Sequence, residues 1–216
     1  MNSQAHPVLR SGVLLGLIAL LGTTLLTGVN ALTHERIIRQ EQLRILQQLN
    51  ELVPVTAYNN QLLEDRIDID DAAFFRHPAP VTVYRARLDD RPVAVLMLIT
   101  APDGYNGDIR LLTGIDAGGT VLGVRVVSHR ETPGLGDPIE LEKSDWILGF
   151  TGRSLLEPRN SGWAVKRDGG EFDQFTGATI SPRAVVKAVH NALLYFEANR
   201  QSLFETAATK ADPDGH

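Results

Sequence analysis

Cysteine is absent from the 216-residue chain. That absence excludes disulfides, thiolate nucleophiles, cysteine-held iron–sulfur clusters, covalent c-type haem and a lipid-modified N-terminal cysteine. Any redox chemistry must therefore be carried by a cofactor of another kind. Long Lys/Arg runs are missing as well, and the net charge is −5. Phosphate backbones need a basic patch, so nucleic acid is set aside as a partner. His77 and His129 have no Asp or Glu at ligand spacing, and no metal site is expected.

What is present suits a folded protein, with 43% hydrophobic and 22% charged residues. From Ser11 to Thr33 there is neither charge nor proline, a length that crosses the hydrocarbon core as a helix. The run exceeds a typical signal-peptide core, although Val29-Asn30-Ala31 resembles a cleavage site. Gly12 and Gly16 form a GxxxG pair suited to close helix approach. Residues 1–33 are thus expected to be a tail and single transmembrane anchor. Arg36, Arg39 and Arg44 follow it and only Arg10 precedes it, so the Lys/Arg count alone puts the large domain in the cytoplasm.

Beyond the anchor, Ile38, Ile45 and Leu49 recur at helical spacing with Leu46 beside them, and Pro54 follows. Residues 34–80 are expected as a helical linker leading into the domain. Residues 81–89 alternate and 92–100 are almost continuously apolar, with Asp89-Asp90-Arg91 between them as a hairpin turn, and 109–116 and 120–129 flank a second hairpin signal, Ala117-Gly118-Gly119, so four strands are expected. The resulting expectation is an α+β fold: a mainly antiparallel sheet with flanking helices over 81–204, and a frayed tail at 205–216. Trp146 and Trp163 read as core or interface residues rather than cofactor platforms.

Three motifs stand out. In DQFTGATISP, Ser181 before Pro182 reads as an N-cap with proline at the first helical position. Thr179 lies two residues upstream, close to a helix terminus that favours anions. No histidine adjoins either Thr176 or Thr179, and an unactivated hydroxyl is a poor nucleophile. Modification of Thr179 would need a separate enzyme. In RETPGLG, proline and two glycines make a turn whose backbone can approach a flat ring closely. GYNG reads as a turn between strands, with Tyr105 either near a ring or covering the sheet edge.

Asp173, Thr176, Gly177, Ala178 and Thr179 resemble the D-x-x-[ST]-G-A-T signature of periplasmic FMN-binding domains. Glu131, Thr132, Pro133, Gly134, Leu135 and Gly136 resemble a second signature of that family, and Gly104, Tyr105 and Gly107 a third. With the single anchor, the chain resembles the G subunits of Rnf/Rsx ion-translocating electron transport complexes. The related C subunit of sodium-translocating NADH:quinone reductase shares the threonine motif, and an anchored non-redox assembly module is the reading from another class.

The resemblance implies FMN joined covalently, through its phosphate, to Thr179, with the other motif residues around it: Asp173, Thr176, Gly177, Ala178, Glu131, Thr132, Gly134, Leu135, Gly136 and Tyr105. Thr132 would donate to the flavin and Glu131 would aid proton balance. It implies an electron-transfer subunit rather than an enzyme alone. It further implies a single-pass bacterial inner-membrane protein with a periplasmic domain, other membrane subunits as partners, and maturation by a flavin transferase using FAD and Mg²⁺.

Overall fold

Apolar strand segments joined by tight turns in the middle of the chain build one antiparallel meander. The computed structural model describes residues 12, 14–24, 27, 43 and 45–205. Its strands β1 (Arg66–Ile69), β2 (Val81–Leu88), β3 (Arg91–Ala101), β4 (Ile109–Asp116) and β5 (Val121–Ser128) pair in chain order. Register follows the turns. Asp89 and Asp90 both take positive φ, 50° and 61°, which matches the two-residue hairpin geometry that suits strand twist. Asn59 holds this turn, accepting from Asp89 N at 3.0 Å and donating to its carboxylate at 2.8 Å.

The sheet buries both faces. On one, Val83, Met97, Leu111 and Val124 form a core with Val185, Val189 and Phe196 of the C-terminal helix, Ile180–Phe204. Leu96, Gly114 and Gly123 share the opposite row. There Leu52 lies so close that a Cβ on Gly123 would meet it at 2.8 Å. Leu49, Leu52 and Val53 are buried, so the apolar stripe read in the sequence does cover a surface, over the described helical residues 46–52. Beside the end of the C-terminal helix, buried Arg85 and Arg87 share Asp65 and donate to the main-chain oxygens of Glu205 and Phe204. Cations at those carbonyls suit the helix dipole.

Two expectations need correction. Residues 34–80 are not simply a helical linker: in their described part they add β1, which pairs with β2, and the buried Leu52, Val53, Leu62 and Phe75. The four expected strands are therefore five, because the short RIDI segment pairs at the sheet edge, its two isoleucines half-buried and Arg66 and Asp68 exposed. The C-terminal helix also starts two residues earlier than expected, at Ile180.

The chain divides after Ile45 into two units. In the first, residues 12, 14–24 and 27 are helical, and Leu14, Leu15, Ile18 and Leu21 are exposed. Thr23 and Thr24 return their hydroxyls to the carbonyls of Ala19 and Leu20, each at 2.8 Å, leaving no unpaired donor on these two side chains. Among the described residues no helix is long and apolar enough to cross a membrane. The rest of the expected anchor and most of the 34–45 segment lie outside the described residues, as do residues 206–216 of the expected tail.

Candidate cofactor site

Three loops meet at the N-terminal end of the last helix. They are the β3–β4 connection around Tyr105, the turn after β5 at Glu131–Gly136, and the segment that leads into the helix at Gly177–Thr179. Together with Ile180 and Ser181 they line a cleft of about 320 Å³, at the small end of the ~300–1,000 Å³ of small-molecule sites. Tyr105, Glu131, Thr132, Leu135, Gly136, Gly177, Ala178 and Thr179 all face it. Residues from distant parts of the chain are thus brought to one place.

Glu131 organises the inner wall. It is buried, and its carboxylate accepts from the Tyr105 N–H at 3.2 Å, from the Asn106 N–H at 3.0 Å and from the Ser181 hydroxyl. Its own N–H donates to His129 Nδ1 at 2.9 Å, and His129 Nε2 meets Glu140 at 2.6 Å. Glu131 thereby ties two loops to the first helical turn. Ser181 is accordingly not the N-cap: it is buried inside the helix and spends its hydroxyl on Glu131. Close packing explains two glycines. A Cβ on Gly136 would stand 2.7 Å from Ser181 Oγ, and one on Gly104 would stand 2.1 Å from the Gly107 carbonyl.

The outer wall is apolar and open. Tyr105, Leu135 and Ile180 are 65%, 47% and 42% exposed, an arrangement that can cover the faces of a flat aromatic ligand. Gly177 sits at φ 83°, 3.4 Å from Leu135 if it carried a Cβ. Thr132 Oγ1 accepts from Asn106 Nδ2 at 3.1 Å, so its own proton is available to a ligand.

Thr179 occupies the position before the helix, and its side chain makes no capping hydrogen bond. Its hydroxyl instead receives a long contact, 3.4 Å, from Arg167 Nη1. On the same segments, Lys166 pairs with Asp173 at 2.6 Å and Arg183 with Asp168 at 2.6 and 2.9 Å. The Arg183 guanidinium holds the Asp168 carboxyl below its ordinary range. No histidine lines the cleft among the described residues. His190 lies along the helix, stacked on Trp163 with ring centroids 5.3 Å apart, and burial lowers its pKa.

Three expected site residues do not line the cleft. Asp173 is exposed; it pairs with Lys166, and its carbonyl accepts from Trp146 Nε1 at 2.8 Å. Thr176 is exposed on the loop. Gly134, at φ 76°, shapes the turn and donates to Asp137 at 2.6 Å. The sequence reading missed Arg167, Ile180 and the Glu131–Ser181 pairing. Arg167 reaches the site because the 163–172 segment folds back, with Val165 bridging Phe172 and Arg167 N donating to Gln174 at 3.1 Å. No linear motif announces that return.

The FMN-binding domain family model matches residues 104–194, which contain every cleft-lining residue, and the RnfG N-terminal region model matches residues 1–52. The G subunit of the ion-translocating oxidoreductase complex of Shewanella loihica is 49% identical over 93% of this chain and 95% of its own length. This chain belongs to that family of G subunits. Its counterparts in Pseudomonas aeruginosa, at 50% identity over 91% and 92%, and in Pseudoalteromonas atlantica, at 44% over 93% and 93%, cover it as fully. Family members therefore align over nearly the whole chain.

Proposed function

We propose that this chain is the flavin-carrying subunit of an ion-translocating oxidoreductase complex of Rnf type, holding FMN covalently on Thr179 and relaying electrons to and from neighbouring membrane subunits. The observation that carries this reading is the position of Thr179: an uncapped hydroxyl at a helix N-terminus, at the edge of a cleft with apolar walls. FMN supplies the electron transfer when bound. Tyr105, Leu135 and Ile180 would cover its ring faces, Thr132 would donate a hydrogen bond to it, and Glu131 keeps the loops in register.

The chain offers Thr179 no base among the described residues, since Glu131 is committed to three donors and no histidine lines the cleft. Attachment is therefore assigned to a separate flavin transferase acting on FAD. Thr179 Oγ forms a bond to the FMN phosphorus, the pyrophosphate bond breaks, AMP leaves, and the hydroxyl proton passes to the transferase. A tether retains the cofactor where reversible binding would lose it by mass action. The exposed apolar helical residues 14–24 suit a single inner-membrane anchor, with the flavin domain on the periplasmic side.

Peptide mapping tests the reading. Protein from a host that carries the transferase should yield tryptic peptide 168–183 with the mass of one FMN, localised to Thr179 by fragmentation. Unmodified peptide from such a host, or flavin on Thr176, overturns it.

A further inference from the structure

We propose that Arg167 is the phosphate-binding residue of this site, neutralising the phosphodiester formed on Thr179. The inference rests on the reading that Thr179 carries FMN, and adds a residue that none of the motifs contains. Charge placement carries it. Of the three cations Lys166, Arg167 and Arg183, Arg167 contacts the threonine side chain, and carboxylates answer the other two: Asp173 on Lys166 and Asp168 on Arg183. Among the described residues Arg167 has no carboxylate within ion-pair distance, and its guanidinium is directed at Thr179 Oγ1, 3.4 Å away. One further negative charge at that oxygen completes the set, and a phosphodiester brings one. The backbone of Arg167 is fixed by its N–H to Gln174 and by the turn that ends at Gly169, φ 88°, so the side chain starts from a set position within reach of the hydroxyl. A planar guanidinium also suits phosphate oxygens better than an ammonium does.

The test compares wild type, Arg167→Gln and Arg167→Lys as full-length chains, treated with the transferase, FAD and Mg²⁺. Two quantities are read: the rate of flavin incorporation by in-gel fluorescence, and the ³¹P chemical shift of the attached phosphodiester. One charge-assisted contact corresponds to about a tenfold change. Arg167→Gln should therefore incorporate flavin about tenfold more slowly, and whatever product forms should show a displaced ³¹P resonance. Arg167→Lys should recover most of the rate. Far-ultraviolet circular dichroism should be unchanged in both, as the side chain is exposed. Equal rates with identical ³¹P shifts in wild type and Arg167→Gln would refute the role of Arg167 while leaving flavin on Thr179 intact. Absence of covalent flavin in wild type would instead refute the reading on which the inference rests.

Discussion

The two walls of the cleft are built on opposite terms. The inner wall is buried: Glu131 and Ser181 are 4% and 1% exposed, and every oxygen of the Glu131 carboxylate has a donor. The outer wall, Tyr105, Leu135 and Ile180 with the Gly177–Thr179 segment, is largely open, and the charged groups beside it, Asp173 with Lys166 and Asp168 with Arg183, are surface pairs, which contribute little to stability. The difference separates shape from chemistry. One wall sets where the loops lie, and the other presents the threonine without depending on it for folding.

That separation is easiest to break at Glu131. Glu131→Ala leaves two backbone N–H groups and a buried hydroxyl without an acceptor, and should cost roughly 3 kcal/mol, read as a lower urea midpoint at unchanged slope. Gly136→Ala pushes a methyl to 2.7 Å from Ser181 Oγ and should cost about 1–3 kcal/mol by overpacking. It also separates the two loops tied by Glu131, so the cleft should deform with the loss of stability.

A pH series sharpens the contrast away from the cleft. Burial places the His190 imidazole below its ordinary value of 6.5, so the folded chain keeps it neutral where the unfolded chain binds a proton. Below pH 6.5 the unfolded state then holds more protons, and stability falls with decreasing pH by at most about 1.4 kcal/mol per unit until the depressed folded value is reached. His190→Asn should remove that part of the slope in denaturation at several pH values. Covalent flavin content should not change. The smallest effect belongs to Thr179→Val: the hydroxyl caps nothing, so the unfolding free energy should stay within about 0.5 kcal/mol of wild type.

Much of this was legible in the sequence because strand alternation and turn residues are local. β2 follows from its alternation, β3 from its apolar run, and β4 and β5 from the glycine turn they flank, while the Asp89-Asp90 hairpin follows from its turn residues. β1 escaped because its alternation runs for only four residues, with two half-buried isoleucines. In the site, glycine and proline spacing marked the loops that converge. The roles within them were harder to read. Ser181 resembles an N-cap in sequence, yet Glu131, fifty residues earlier, claims its hydroxyl. Asp173 belongs to the motif but points to Lys166 rather than into the cleft. Arg167 reaches Thr179 only through the chain reversal stabilised by Val165 and Phe172.

The most direct test pairs two readings on Thr179→Val: intact mass after denaturation, and the urea unfolding midpoint, both against wild type from a host that carries the transferase. The account predicts that the mutant loses the mass of one FMN and keeps the wild-type midpoint. Flavin that survives denaturation in the mutant, or a loss of flavin that comes with collapse of the fold, would contradict it.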